Sequence, residues 1–325
     1  MTRGVDDGGD RPGGAPDVLY PALEPFAGGR LQVGTRHSIH FEQCGNPRGV
    51  PALFLHGGPG SHTRPIHRRF FDPQCYRIVL FDQRGCGQSS PPGCTEENTT
   101  RHLVDDMEAL RRHLGLDRAL LFGGSWGCTL ALAYAAAHPE RVAAMVLRGV
   151  FLATRAEIDW YLDGLRNFVP QAWEALAQGE GGSLLARYHA LVNREGDGEA
   201  LAAAQRWVGY EEAVMSLGVA GQAAGTTDAP AAVLARARVQ LHYLVHDCFL
   251  RPGELISGLE RLVDVPALIV QGRLDMVCPP RAAFELARRL PRAELRLVDR
   301  GGHSASSRDM AEALRRATDD LRERL

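Results

Sequence analysis

Along the first half of the chain, short runs of large apolar residues alternate with stretches whose apolar positions recur every three to four residues. Pro51–Leu55 (PALFL) and Arg77–Phe81 (RIVLF) are almost continuously apolar, the pattern of strands buried on both faces. Ala119–Phe122 and Val142–Leu147 repeat it, while Arg30–Val33 and Ser38–Glu42 read as an initial hairpin pair. Between them, Thr99–Leu114 places Leu103, Met107, Leu110 and Leu114 on one helical face. This β-α-β alternation predicts an α/β domain built on a doubly wound, mostly parallel sheet.

From about residue 151 to 255 the strand pattern stops and amphipathic helical stretches take over. Three of the four tryptophans lie here (Trp160, Trp173, Trp207), with Tyr161, Phe168, Tyr188, Tyr210 and Tyr243. Aromatics at helical spacing ordinarily pack, so this segment carries rings that either fill a core or line a pocket. Ala267–Val270 and Glu294–Val298 then resume the strand pattern. A helical insertion in an interrupted sheet is most simply a cap over the carboxyl ends of the strands, where open α/β folds place their sites. The expected organisation is therefore a leader (1–17), the first part of the core (18–150), a helical cap (151–255) and the second part of the core (256–325).

Composition narrows the function classes. With 45% hydrophobic and 23% charged residues and a net charge of -2, nothing suggests nucleic acid or an anionic membrane as partner. No run approaches the 18 or so apolar residues of a membrane span. The seven cysteines show no C-x-x-C spacing, which argues against structural zinc and a disulfide framework and for a reducing compartment, the cytoplasm. Residues 1–17, polar and rich in Gly, Asp and Pro, read as a disordered leader rather than a secretion signal. Asn98-Thr99-Thr100 matches a glycosylation sequon, without meaning in a chain that is not exported.

The candidate chemistry begins at Gly123-Gly124-Ser125-Trp126-Gly127, where an apolar strand stops, exposes a serine and continues into a small-residue helix. That is the pattern of a nucleophile elbow, G-x-S-x-G. A serine hydroxyl needs a base to take its proton, and the base needs an acid to orient it. In chain order the acid and the histidine should follow the last two strands. Asp275 follows Ala267–Val270, and His303 follows Glu294–Val298 in a Gly-rich loop, with Asp299 the next candidate acid. Oxyanion donors are expected from the N–H of Trp126 and from the loop His56-Gly57-Gly58-Pro59-Gly60, where either Gly57 or Gly58 serves and Gly57 is favoured. No histidine pair or cysteine cluster has metal-ligand spacing, so neither metal nor cofactor is expected.

FLHGGPG (54–60), YRIVLFDQRGCGQSSP (76–91), GGSWGCTLALAYAAAHPERVAAMVLRG (123–149), QGRLDMVCP (271–279) and GGHS (301–304) together resemble the prolyl aminopeptidases. LYPALEPFAGGRLQV (19–33), EQCGNP (42–47), RRFFDP (68–73) and EIDWY (157–161) extend the likeness almost end to end. The resemblance implies the α/β-hydrolase fold with an inserted helical cap and release of an N-terminal proline from small peptides through an acyl-enzyme. It places the triad on Ser125, Asp275 and His303. It also implies an amine-binding acid at Glu211, in a stretch where Tyr210 replaces the family's second tryptophan, and a proline-ring site at Phe151 and Tyr161. Where the family shows A-R-I-E-x-H-Y-F, this chain reads Ala237-Arg238-Val239-Gln240-Leu241-His242-Tyr243-Leu244. Gln240 thus replaces a second amine-binding acid and Leu244 an aromatic, and the expectation is that Gln240 faces the amine with a weaker, neutral acceptor. The alternatives are an amidase or esterase acting on another small substrate, and a non-catalytic binding protein on the same fold. Oligomeric state is left open.

Overall fold

The structure, a computed structural model, describes residues 18–178, 182–194, 196–217 and 228–324. The expected leader, 1–17, lies outside the described residues. Eight strands form one sheet: β1 (Ala27–Val33), β2 (His37–Gly45), β3 (Val50–Leu55), β4 (Tyr76–Phe81), β5 (Ala119–Gly124), β6 (Val142–Arg148), β7 (Ala267–Gly272) and β8 (Ala293–Val298). Their spatial order is β1-β2-β4-β3-β5-β6-β7-β8. β1 and β2 pair antiparallel, as does β2 with β4, and every later pairing is parallel. Each strand contains the corresponding apolar run and extends one to four residues beyond it.

Period-two alternation explains how the sheet is covered. Leu53, Leu55, Val79 and Leu121 join one buried cluster; their neighbours Ala52, Phe54, Ile78, Leu80, Leu120 and Phe122 join the other. Helices α1 (Thr100–His113) and α2 (Trp126–Ala137) close the first face with Leu103, Met107, Leu110 and Leu130. The last helix, α10 (Arg308–Arg322), closes the second with Met310, Leu314 and Leu321. Burying each such side chain is worth about 1.5–3 kcal/mol, so both faces contribute to holding the strands in register.

Between β6 and β7 the described residues contain no strand. They form α3 (Arg155–Asp159), α4 (Pro170–Ala177), α5 (Leu184–Val192), α6 (Asp197–Met215), α7 (Pro230–Val245) and α8 (Glu254–Gly258); α9 (Pro280–Arg289) follows β7. The aromatic rings of this segment divide between packing and lining. Trp207, Tyr188, Tyr210 and Tyr243 are fully buried, and the three hydroxyls donate to Leu176 O, Tyr161 O and Asn98 Oδ1. The last bond ties α7 to the loop before α1. Asn98, the sequon residue, is itself buried and donates through Nδ2 to the carbonyls of Arg84 and Cys94. Among the described residues no helix is long and apolar enough to cross a membrane.

Candidate active site

Ser125 stands between β5 and α2 with φ 56° and ψ -120°, a conformation that costs a non-glycine residue about 1–3 kcal/mol. Its surroundings hold it there. Its N–H donates to Arg148 O at 2.8 Å on the neighbouring β6, and its carbonyl accepts from Cys128 N–H at 2.8 Å. The flanking glycines are required by close approach: a Cβ on Gly123 would lie 2.3 Å from Gly127 O, and one on Gly127 2.2 Å from Leu55 O. Trp126 opens α2, so its N–H has no carbonyl one turn back to satisfy it.

Asp275 and His303 meet as the chain order requires. His303 Nδ1 donates to Asp275 Oδ2 at 2.8 Å, with Oδ1 at 3.0 Å. Cys278 N–H donates to Oδ1 and Gln271 Nε2 reaches Oδ2, while the amide of Gln271 is itself held by Val150 N–H and Cys278 O. Because Nδ1 carries the proton, Nε2 is the basic nitrogen, and the imidazole and Ser125 line the same cavity. Asp299 is elsewhere, exposed and paired with Arg273. Gly149, at φ +57°, lies directly against the pair: a Cβ there would be 3.1 Å from Asp275 Oδ2 and from His303 Cε1.

Of the two glycines considered in the HGGPG loop, Gly57 is the one beside the serine, its notional Cβ 3.6 Å from Ser125 Cβ; Gly58, at φ +114°, instead approaches Gly60 and Ser61. The loop is fixed from behind. Gln83 N–H donates to His56 Nε2 at 3.0 Å and Gln83 Nε2 donates to His56 O at 3.0 Å. His56 Nδ1 then donates to Gly57 O, and burial keeps this ring neutral by lowering its pKa. The remaining end of Gln83, Oε1, accepts the indole N–H of Trp126 at 2.9 Å.

Above these residues opens a cavity of about 210 Å³, lined from the helical segment by Phe151, Tyr161, Glu211, Arg236, Gln240 and Leu244 among others. All five expected substrate-binding residues therefore reach it. The backbone of Phe151 is anchored by Thr129 Oγ1 of α2 at 2.7 Å. Tyr161 is half-buried, its hydroxyl oxygen buried and unpartnered, and the burial of that group together with the nearby Glu211 charge raises its pKa well above the ordinary phenol value.

Gln240 departs from expectation. Its Oε1 accepts the indole N–H of Trp207 at 2.7 Å, and its Nε2 donates to Glu211 Oε1 at 3.2 Å. An indole can only donate and a carboxylate only accept, so the amide orientation follows. The carbonyl expected to face an amine is thus occupied by Trp207.

Three residues of this site were not singled out from the sequence. Gln83 belongs to the DQRG stretch, but nothing in that string shows that it bridges Trp126 and His56. Arg148 donates through Nη1 to His303 O at 2.6 Å while its own carbonyl holds Ser125. Arg236 places Nη2 2.9 Å from Glu211 Oε2. One turn of helix separates Arg236 from Gln240, the only available hint. Among the described residues no group of three or more His, Cys, Asp or Glu side chains is placed to hold a metal ion.

The alpha/beta hydrolase fold family model matches residues 51–307. A proline iminopeptidase of Xanthomonas citri is 44% identical over 93% of this chain and 98% of its own length. One from Arabidopsis thaliana is 43% identical over 89% of this chain and 78% of its own, and one from Neisseria gonorrhoeae is 40% identical over 94% and 100%. Among solved structures, VinJ superposes with a TM-score of 0.66 at 20% identity, covering 93% of this chain and all of that one. A carboxylesterase from Nitrososphaera gargenis gives 0.62 at 17% identity, covering 91% and 100%. At those identities the structural likeness speaks for the fold alone.

Proposed function

The chain belongs to the proline iminopeptidase family of α/β hydrolases, and from that premise we propose that it is a serine aminopeptidase releasing proline from the N-terminus of small peptides. The observation that carries this reading is that His303, held by Asp275, lines one cavity with Ser125 and Glu211.

In this reading His303 Nε2 removes the proton from Ser125 Oγ as the oxygen attacks the prolyl carbonyl carbon. The developing oxyanion is received by the N–H groups of Trp126 and Gly57, each worth about 2.7–4 kcal/mol to the transition state. The C–N bond breaks as His303 returns the proton to the leaving amine, and water then hydrolyses the prolyl ester by the same exchange. Phe151, Tyr161 and Leu244 enclose the ring, and Glu211 faces its nitrogen. Residues 151–255 act as the cap and 18–150 with 256–325 as the core. The seven free cysteines favour a cytoplasmic location.

A panel of aminoacyl chromogenic amides, assayed with the unsubstituted protein and Ser125→Ala, tests the reading. Turnover should be highest on the prolyl amide and vanish in Ser125→Ala. No proline release by the unsubstituted protein, alongside brisk hydrolysis of a short ester, would replace it with an amidase or esterase.

A further inference from the structure

The apolar lining of the cavity comes from two separate cores. Phe151, Tyr161 and Leu244 pack with the cluster shared by the helical segment and the first face of the sheet. Phe54, Phe70 and Phe122 belong to the cluster on the α10 face, and Ala305, two residues after His303, packs against it. A peptide held over Ser125 with its first residue against the helical wall directs its second residue to the other wall. That is the side on which His303 must protonate the leaving nitrogen.

The second wall is an aromatic stack ending in an imidazole. Phe122 stacks on Phe54 and on Phe70 with centroids 5.3 and 5.4 Å apart, and His67 lies nearly flat on Phe54 at 4.3 Å and 18°. The three phenylalanines are buried, and half-buried His67 also lines the cavity. Arg64 N–H donates to His67 Nδ1 at 3.0 Å, so in the neutral ring the proton sits on Nε2. Burial first, then His56, Arg64, Arg148 and His62, lowers the pKa of this ring to about 3, which keeps it neutral. Its Nε2–H has no acceptor among the described residues. Arg148 lies against Gly124 and lines the cavity too. The carboxylates among the described lining residues, Glu157 and Glu211, both come from the helical segment.

We propose that His67 and the Phe54–Phe122–Phe70 stack form the subsite for the second residue of the peptide. His67 Nε2–H donates to that residue's main-chain carbonyl, and the stack receives an apolar or aromatic side chain in preference to a cationic one. The proposal rests on the reading that the helical wall receives an N-terminal proline. A carbonyl satisfies a donor that would otherwise stay unpaired once the peptide excludes water. An aromatic side chain adds stacking to the area it buries. A lysine or arginine side chain would instead be desolvated beside Arg148 with no carboxylate on that wall to pair it.

The test measures kcat/KM, as released proline, for prolyl-phenylalaninamide, prolyl-glycinamide, prolyl-lysinamide and prolinamide, the last having no second residue. In the unsubstituted protein the phenylalanine substrate should exceed the lysine one at least about tenfold. His67→Phe keeps a ring on Phe54 but has no donor, and should cut the advantage of prolyl-glycinamide over prolinamide by about three- to tenfold. His67→Gln, which keeps a donor without the ring, should leave that advantage within about twofold of its starting value. If His67→Phe does not fold, His67→Leu carries the same expectation. A merely structural role for His67 would scale all four substrates together and leave the ratios unchanged. Unchanged ratios in the donor-free variant, an equal fall in His67→Gln, or lysine accepted as readily as phenylalanine overturns the proposal. No proline from any of the four is a separate result, which removes the peptidase reading and the proposal with it.

Discussion

The indole N–H of Trp126 donates to the side-chain carbonyl of Gln83 at 2.9 Å, and the other end of that amide donates to His56 O at 3.0 Å. One glutamine therefore sets the spacing between the elbow and the HGGPG loop, whose N–H groups form the proposed oxyanion site. Gln83 touches no substrate in this arrangement; it is a positioning residue.

Gln83→Met should consequently slow the chemical step while leaving ground-state binding nearly intact. Losing an oxyanion donor outright costs about 10²–10³ in kcat, and misplacing both should cost about 10–100-fold, with KM within about twofold. Steady-state kinetics on a prolyl amide checks the split. A change confined to KM would detach Gln83 from the oxyanion site.

Asp275 and Asp299 provide the sharpest internal comparison, since both precede or flank the histidine loop. Only Asp275 contacts His303, and Asp299 is exposed against Arg273. Asp275→Asn should lower kcat by about four orders of magnitude, because an amide stabilises the wrong imidazole tautomer. Asp299→Asn should stay within about twofold. Because a triad acts as a unit, adding Ser125→Ala to Asp275→Asn should cost little beyond Ser125→Ala alone.

Gly149 packs directly against the catalytic pair. Its φ of +57° is strained for any side chain, and the 3.1 Å approach of a notional Cβ to Asp275 Oδ2 and His303 Cε1 would make the pair give by a few tenths of an ångström to admit a methyl group. Gly149→Ala should destabilise the fold by about 1–2 kcal/mol through the positive φ, and should lower kcat at least about tenfold as the pair is displaced. Thermal unfolding and kcat measured on one preparation check both parts.

How much of this was legible beforehand follows from what each feature depends on. The strands β3 to β7 are near-continuous apolar runs because both faces are covered, so they announce themselves. The edge strand β1 begins at Ala27-Gly28-Gly29, residues with little strand propensity. Its extent is set by pairing with Phe41–Gln43 of β2, and the sequence reading began it three residues late. Ser125, Asp275 and His303 were readable because each lies in a loop whose place in the strand order is fixed. Gln83, Arg148 and Arg236 were not, since their partners lie 43, 155 and 25 positions away. Nothing local marks such a contact. Gln240 shows the complementary failure: it lines the cavity, but the direction of its carbonyl depends on Trp207, 33 residues earlier.

His242 on α7 supplies a pH dependence. Its pKa is lowered from 6.5 to about 4, chiefly by burial and also by the neighbouring His246 and His189, against a bond to the Asn98 carbonyl that raises it. The rings of His246 and His189 lie 5.2 and 6.3 Å away, with Phe249 and Tyr243 packed beside them. A folded-state pKa below the unfolded value means the unfolded chain binds the proton first. Stability should therefore be complete above pH 6.5 and decline as pH falls towards 4. His242→Gln keeps a donor for Asn98 O but does not titrate, so its urea-unfolding free energy should fall less steeply over that window. Identical slopes would mean that His242 does not contribute.

Gln240→Glu tests how the pocket balances charge from the side opposite Arg236. The substitution would place a second carboxylate 3.2 Å from Glu211 Oε1 where an amide now donates, while leaving an acceptor for the Trp207 indole. In the empty enzyme two carboxylates would then share the single Arg236 guanidinium, a like-charge contact in a buried site. The variant should unfold at a lower temperature than the unsubstituted protein, by several degrees for a loss of about 1 kcal/mol. A cationic first residue relieves the same repulsion, and charge-assisted hydrogen bonds are roughly twice as strong as neutral ones. KM for a prolyl amide should fall about tenfold, and prolinamide should restore much of the lost thermal stability, whereas 5-oxoprolinamide should restore little. Lower stability without the gain in amine affinity would mean that the added charge faces the protein and not the substrate.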